Sequence, residues 1–124
     1  MSIDTTRTLC RKSELPDPGA RAFTIGSGDW PLRGFVVRKG EQVFAYLNRC
    51  PHAGHPLNLQ PNDFLTPDLS LLMCRSHGAQ FDISTGLCVA GPCAGAHLRS
   101  IAIRIEHDYI MLVEDPDVLA VRLA

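Results

Sequence analysis

Hydrophobic positions fall in short runs with the period of strands. In "RGFVVRKGEQVFAYLN", residues 33–48, valine and aromatic residues gather on either side of Lys39-Gly40, which predicts two strands joined by a tight turn. In "RSIAIRIEHDYIMLVE", residues 99–114, Ile101, Ile103 and Ile105 recur at every second position and so share one face of a strand. A turn near His107-Asp108 leads into a second strand, and the segment reads as a hairpin. "LSLLMC" (69–74) and "AQFDI" (79–83) are shorter strand candidates, separated by a loop carrying Ser76, His77 and Gly78. Ten glycines and nine prolines cut the chain too finely for many helices. The pattern predicts an all-β domain of small antiparallel sheets. "PDPG" (16–19) marks its beginning and "EDPD" (114–117) its end, giving a lead-in over 1–15, a domain over 16–115 and a tail over 116–124. The tail's "VLAVRLA" suits a strand or a short helix, and "QPNDFLTPD" (60–68) is expected as a surface loop.

Composition narrows the function. A chain of 124 residues with 45% hydrophobic content suits one core and one module. Twelve basic residues against thirteen acidic ones give a net charge of -1, so no overall field recruits nucleic acid or an anionic membrane. No apolar run approaches the roughly 20 residues that cross a bilayer. Arg11-Lys12 is followed by "SELPDPGA" instead of the apolar core of an export signal. The expectation is a soluble, cytoplasmic protein. Its five cysteines are odd in number and spaced unlike a secreted disulfide framework, which directs some of them to metal or redox chemistry.

That chemistry has a place. "CPHAGHPL" (50–57) sets Cys50 and His52 one residue apart, and "CRSHGAQFD" (74–82) supplies Cys74 and His77. Each loop offers one thiolate and one imidazole. A [2Fe-2S] cluster with two cysteines on one iron and two histidines on the other needs that mixed ligation. Gly54 and Gly78 let backbone approach the sulfides, while Pro51 and Pro56 stiffen the first loop. Two cysteines and two histidines also suit tetrahedral zinc, so a structural zinc-binding module is an alternative. Zinc modules, however, usually open with both thiolates on one C-x2-4-C knuckle.

The pair "CPHAGHPL" and "CRSHGAQFDISTG", followed by "GPC" at 91–93, resembles the Rieske iron-sulfur domain, in particular its soluble ferredoxin branch. The resemblance runs from about Phe23 to Val113. It implies the Rieske fold and one [2Fe-2S] cluster, with Cys50 and Cys74 on the inner iron and His52 and His77 on an outer iron near the surface. Pro92 would cover the cluster. The resemblance also implies a one-electron carrier, without catalysis of its own, passing electrons from a flavin reductase to a terminal oxygenase that hydroxylates aromatic rings. The small subunit of an assimilatory nitrite reductase resembles the same family and is a second alternative. High-potential relatives join the two loops by a disulfide at positions that here hold His55 and Ser76. They also aim serine and tyrosine hydroxyls at sulfur from positions that here hold Ala79 and Phe81. Without those donors the reduced cluster is less stabilised, and the expected potential is roughly -150 to 0 mV in a class spanning about -150 to +300 mV.

The remaining candidates are weaker. His55 reads as a loop residue whose charge modulates the centre. Cys88 and Cys93 read as small, partly buried thiols, Cys10 as incidental, Trp30 as packing, and His97 and His107 as residues near strand ends. Glu114, Asp115 and Asp117 form either a docking patch or a solvated turn. No G-x-G-x-x-G provides a dinucleotide site, and no second set of two histidines and a carboxylate provides a mononuclear iron.

Overall fold

Phe35, Val36 and Val37 are all buried, whereas a strand covered on one face alternates. They lie in β3 (Leu32–Lys39), the middle strand of a sheet with apolar cover on both sides. A computed structural model of the chain describes residues 7–26, 31–51 and 54–123. Among these are three antiparallel sheets of three strands each. The middle sheet is β2 (Gly19–Ile25), β3 and β4 (Gln42–Leu47) in that order. β5 (Leu72–Met73), β6 (Gln80–Phe81) and β7 (Cys88–Ala90) form the small sheet that frames the candidate site. β1 (Thr8–Arg11), β8 (Ile103–Glu106) and β9 (Tyr109–Leu112) form the third in the order β1-β9-β8, and α1 (Pro116–Leu123) follows. Alternate residues of β3 and β4 feed two cores. Phe35, Val37 and Tyr46 pack with the site-bearing sheet, while Val36, Ala45 and Leu47 pack with the β1-β9-β8 sheet and α1.

Both hairpins form where the alternation places them. Lys39 pairs with Gln42 across a Gly40-Glu41 turn. Glu106 pairs with Tyr109 across His107-Asp108, whose φ values of 51° and 72° are those of a type I′ turn. The candidates at 69–74 and 79–83 contract to two residues each, because the chain on either side bends into the loop between them. Three strands were not anticipated. β2 buries only Gly19 and Ile25, so its sequence carries little periodic signal, and β1 and β7 are four and three residues long.

The structure corrects two readings. Cys10, read as incidental, is buried at 7% exposure in the second core, because β1 pairs with β9 and brings the lead-in into the sheet. The 60–68 loop does not merely cross the surface: Phe64 is fully buried and stacks on Phe35 at 4.3 Å and 14°. The end of the chain is a helix, with Pro116 at its first position and Asp115 Oδ1 accepting the amides of Asp117 and Val118 at 3.0 and 3.4 Å. Glu114 pairs with Arg122 at 2.6 Å, so the acidic group caps and braces α1. Among the described residues no helix is long and apolar enough to cross a membrane. Trp30 lies outside the described residues.

Candidate metal centre

The two candidate ligand loops are built on the same hydrogen-bond pattern. Cys50 donates its amide to the His55 carbonyl at 2.8 Å, and Gly54 donates back to the Cys50 carbonyl at 2.8 Å. In the second loop Cys74 donates to Ala79 at 2.8 Å and Gly78 donates back to Cys74 at 2.9 Å. Gly54 and Gly78 both have φ of 75°, a conformation that costs a residue with a Cβ about 1–2 kcal/mol. Each frame therefore starts at a cysteine and turns on a glycine. Cys50 and Cys74 are 1% and 0% exposed and belong to the same core cluster, whereas His77 is exposed. The second loop thus turns its thiol inward and its imidazole toward solvent. His52, the fourth predicted ligand, lies outside the described residues. Among the described residues no three His, Cys, Asp or Glu side chains are grouped as a metal site.

Two residues that sequence reasoning passed over, Asn48 and Arg75, hold these loops in place. Asn48, 9% exposed, accepts the Leu57 amide on Oδ1 at 2.8 Å and donates to Asn58 at 2.9 Å, closing the base of the first loop. The Leu57 carbonyl accepts the Arg75 amide at 2.8 Å, which ties the first loop to the second. Arg75, next to Cys74, donates from Nη2 to Asp63 at 2.6 Å and to the Leu65 carbonyl at 2.7 Å. Asp63 and Leu65 flank the Phe64 anchor, so the 60–68 loop clamps the second ligand loop. The sequence offers one signal: Asn48 and Arg75 are hydrogen-bonding residues within two positions of a candidate ligand cysteine.

A third loop, at 91–95, meets the second. A Cβ on Gly91 would come within 2.8 Å of Ala79 Cα, so only glycine lets the two backbones approach this closely. Cys93 Sγ donates to Cys88 Sγ at 3.1 Å, and Cys88 donates to the Ala90 carbonyl at 3.2 Å. Burial, with Cys88 beside it, pushes the Cys93 thiol up to about 12. None of the five cysteines is joined in a disulfide. Ala79 and Phe81, where high-potential relatives are expected to carry hydroxyls, are fully buried. Behind them Tyr46, its own pKa raised to about 12 by burial, donates to the Ile83 carbonyl at 2.6 Å. His55 and His97 are exposed and His107 occupies a turn.

The chain belongs to the Rieske [2Fe-2S] domain family, whose profile matches residues 5–115. No curated protein matches its sequence. The fold is similar to the ferredoxin of carbazole 1,9a-dioxygenase from Nocardioides aromaticivorans IC177, with a TM-score of 0.64 and 23% identity over 86% of this chain and 96% of that one. It is similar to the Sphingomonas yanoikuyae B1 ferredoxin, with a TM-score of 0.62 and 23% identity over 86% and 96% of the two chains. It also resembles part of the terminal oxygenase of carbazole 1,9a-dioxygenase from Novosphingobium sp. KA1, with a TM-score of 0.69 and 17% identity over 86% of this chain and 28% of that one. At these identities the likeness is one of fold.

Family membership implies one [2Fe-2S] cluster of the Rieske type. The donor set fits it. Two buried thiols stand at the heads of matched loops, and an exposed imidazole follows one of them.

Proposed function

We propose that Cys50, His52, Cys74 and His77 hold the cluster, with the thiolates on the buried iron and the imidazoles on the outer one. The chain is then a one-electron carrier that accepts from a reductase and delivers to a terminal oxygenase acting on aromatic rings. The matched loop frames, with cysteine inside and His77 outside, carry this reading. The structural neighbours support the partner class, since one is a complex of reduced oxygenase and oxidised ferredoxin in carbazole 1,9a-dioxygenase. Five unbridged thiols favour the reducing cytoplasm.

A bound cluster would supply a reversible one-electron couple. The protein's own work is to hold and shield it. The buried cysteines anchor it among Leu57, Phe81 and Ile83, which keep water from the sulfur side. His77 faces solvent, where a partner would dock, and a small, short-lived contact suits a carrier that must release each partner. Asn48 and Arg75 keep the two loops in register.

Low-temperature EPR of the dithionite-reduced protein, with iron and zinc measured on the same sample, tests this. The expected result is a rhombic signal and about two irons per chain. Cys74→Ser should lose both. His77→Ala should lose the signal yet keep its far-UV circular dichroism, because His77 is exposed and carries none of the core. A silent spectrum with about one zinc per chain would replace the carrier with a structural clasp.

A further inference from the structure

The 91–95 loop is exposed at Gly91, Pro92, Ala94 and Gly95 and buried only at Cys93. The loop delivers one side chain inward, and that side chain is a thiol whose sulfur lies 3.1 Å from Cys88 Sγ. The backbone already holds the two residues across one turn. Cys88 donates its amide to the Ala96 carbonyl at 2.8 Å, Gly95 donates to Cys88 at 3.0 Å, and Ala96 donates to Cys93 at 2.9 Å. Neither thiol belongs to the proposed ligand set, and neither is bridged. The two sulfurs need approach by only about 1 Å to bond, since a disulfide spans about 2.05 Å. A Cβ on Gly91 would come within 2.8 Å of Ala79 Cα, so whatever fixes this loop fixes it against the second candidate ligand loop.

We propose that Cys88 and Cys93 are a second redox site: a small-molecule disulfide of the glutathione class oxidises them to an intramolecular disulfide that locks the 91–95 loop against Ala79. Cys93 is the point of entry, because at 9% exposure against 2% it is the less buried sulfur and it lies among exposed residues. Its sulfur attacks the oxidant, displaces one small thiol and forms a mixed disulfide. Cys88 then attacks Cys93 Sγ and displaces the second small thiol. The protein loses two electrons and two protons, and the two released thiols carry them away. Burial keeps the Cys93 thiol protonated, which slows the first attack, so the pair settles at the ambient balance of thiol and disulfide without reacting fast. The closed ring removes freedom from the opened loop, so its amides should meet solvent less often. The inference needs only these two thiols and does not use the four-ligand reading.

Equilibration of the purified protein with set ratios of oxidised and reduced glutathione, then acid quench, alkylation in denaturant and tryptic digestion, tests it. Cleavage after Arg75 and Arg99 isolates residues 76–99, whose only cysteines are Cys88 and Cys93, while residues 50–75 carry Cys50 and Cys74. In oxidised glutathione the 76–99 fragment should be lighter by two hydrogens and unalkylated, exceeding the dithiol form at least about tenfold. The ratio should change tenfold for each step of about 30 mV, as a two-electron couple requires. Amide exchange within 91–96 should slow at least about threefold in the bridged form. In Cys93→Ser, or in Cys88→Ser should the first not fold, exchange should ignore the oxidant. Two alkylated thiols at every ratio, a glutathione adduct without a bridge, or Cys93 joined to a cysteine of 50–75 would overturn the disulfide. Exchange that is unchanged on bridging, or that slows equally in the serine variant, would overturn the lock. Iron content and EPR on the same sample judge the four-ligand reading separately, because neither enters the 76–99 mass.

Discussion

Phe81 is fully buried in the core cluster that contains Cys50 and Cys74, the proposed ligands, so a hydroxyl added to its ring would need a partner there. Phe81→Tyr is expected to raise the potential without lowering thermal stability, because a ligand sulfur would take the new hydrogen bond. Voltammetry and calorimetry on the same sample decide it. A buried hydroxyl without a partner would cost about 1–3 kcal/mol and leave the potential unmoved. At this scale the two loops proposed to hold the cluster were legible in the sequence, since a cysteine and a histidine within a few residues make a local pattern. Asn48 and Arg75 were not, because their partners Leu57 and Leu65 become neighbours only when the loops close.

Elements hold the site by their turns. Asp82 Oδ1 accepts the amides of Ser84 and Thr85 at 2.9 and 3.0 Å in the turn from β6 to β7. Hydrogen bonding from Ser84 holds its carboxyl below the usual carboxylate value, despite some opposing burial. A carboxyl whose pKa is lower folded than unfolded gives stability that is full above about pH 4 and lost as the pH falls through the folded value. Asp82→Asn should flatten the decline of melting temperature below about pH 4 relative to wild type, and the two acid titrations would show it. Gly91→Ala combines a φ of 96° with a Cβ 2.8 Å from Ala79 Cα. It should cost about 1–2 kcal/mol from the backbone alone and shift the EPR line shape as the loop lifts. The alternation in 33–48 and 99–114 made β3, β4, β8 and β9 legible. β2 stayed hidden because most of its side chains lie at the surface or only partly buried.

Across the whole molecule, the middle sheet joins two cores that the sequence could not separate. Phe64 reaches the first from a loop, and Leu119 and Leu123 reach the second from α1. Phe64→Ala should cost about 3–5 kcal/mol and loosen the Arg75 clamp, so iron should leave at a lower denaturant concentration than in wild type. Leu119→Ala should cost about 2–5 kcal/mol with the potential unchanged, because it empties the core away from the ligand loops. Denaturant melts followed by visible absorbance and by circular dichroism separate the two cases.

The sequence by itself determined the all-β class, the two hairpins and the paired Cys-His loops, because each rests on neighbours along the chain: a two-residue period, a turn pair, a short ligand spacing. Only the tertiary structure decided that the 60–68 loop buries Phe64 and that β1 and α1 close the second core. Those depend on residues far apart in sequence meeting where apolar surface is buried, and no local pattern records which partner each will find.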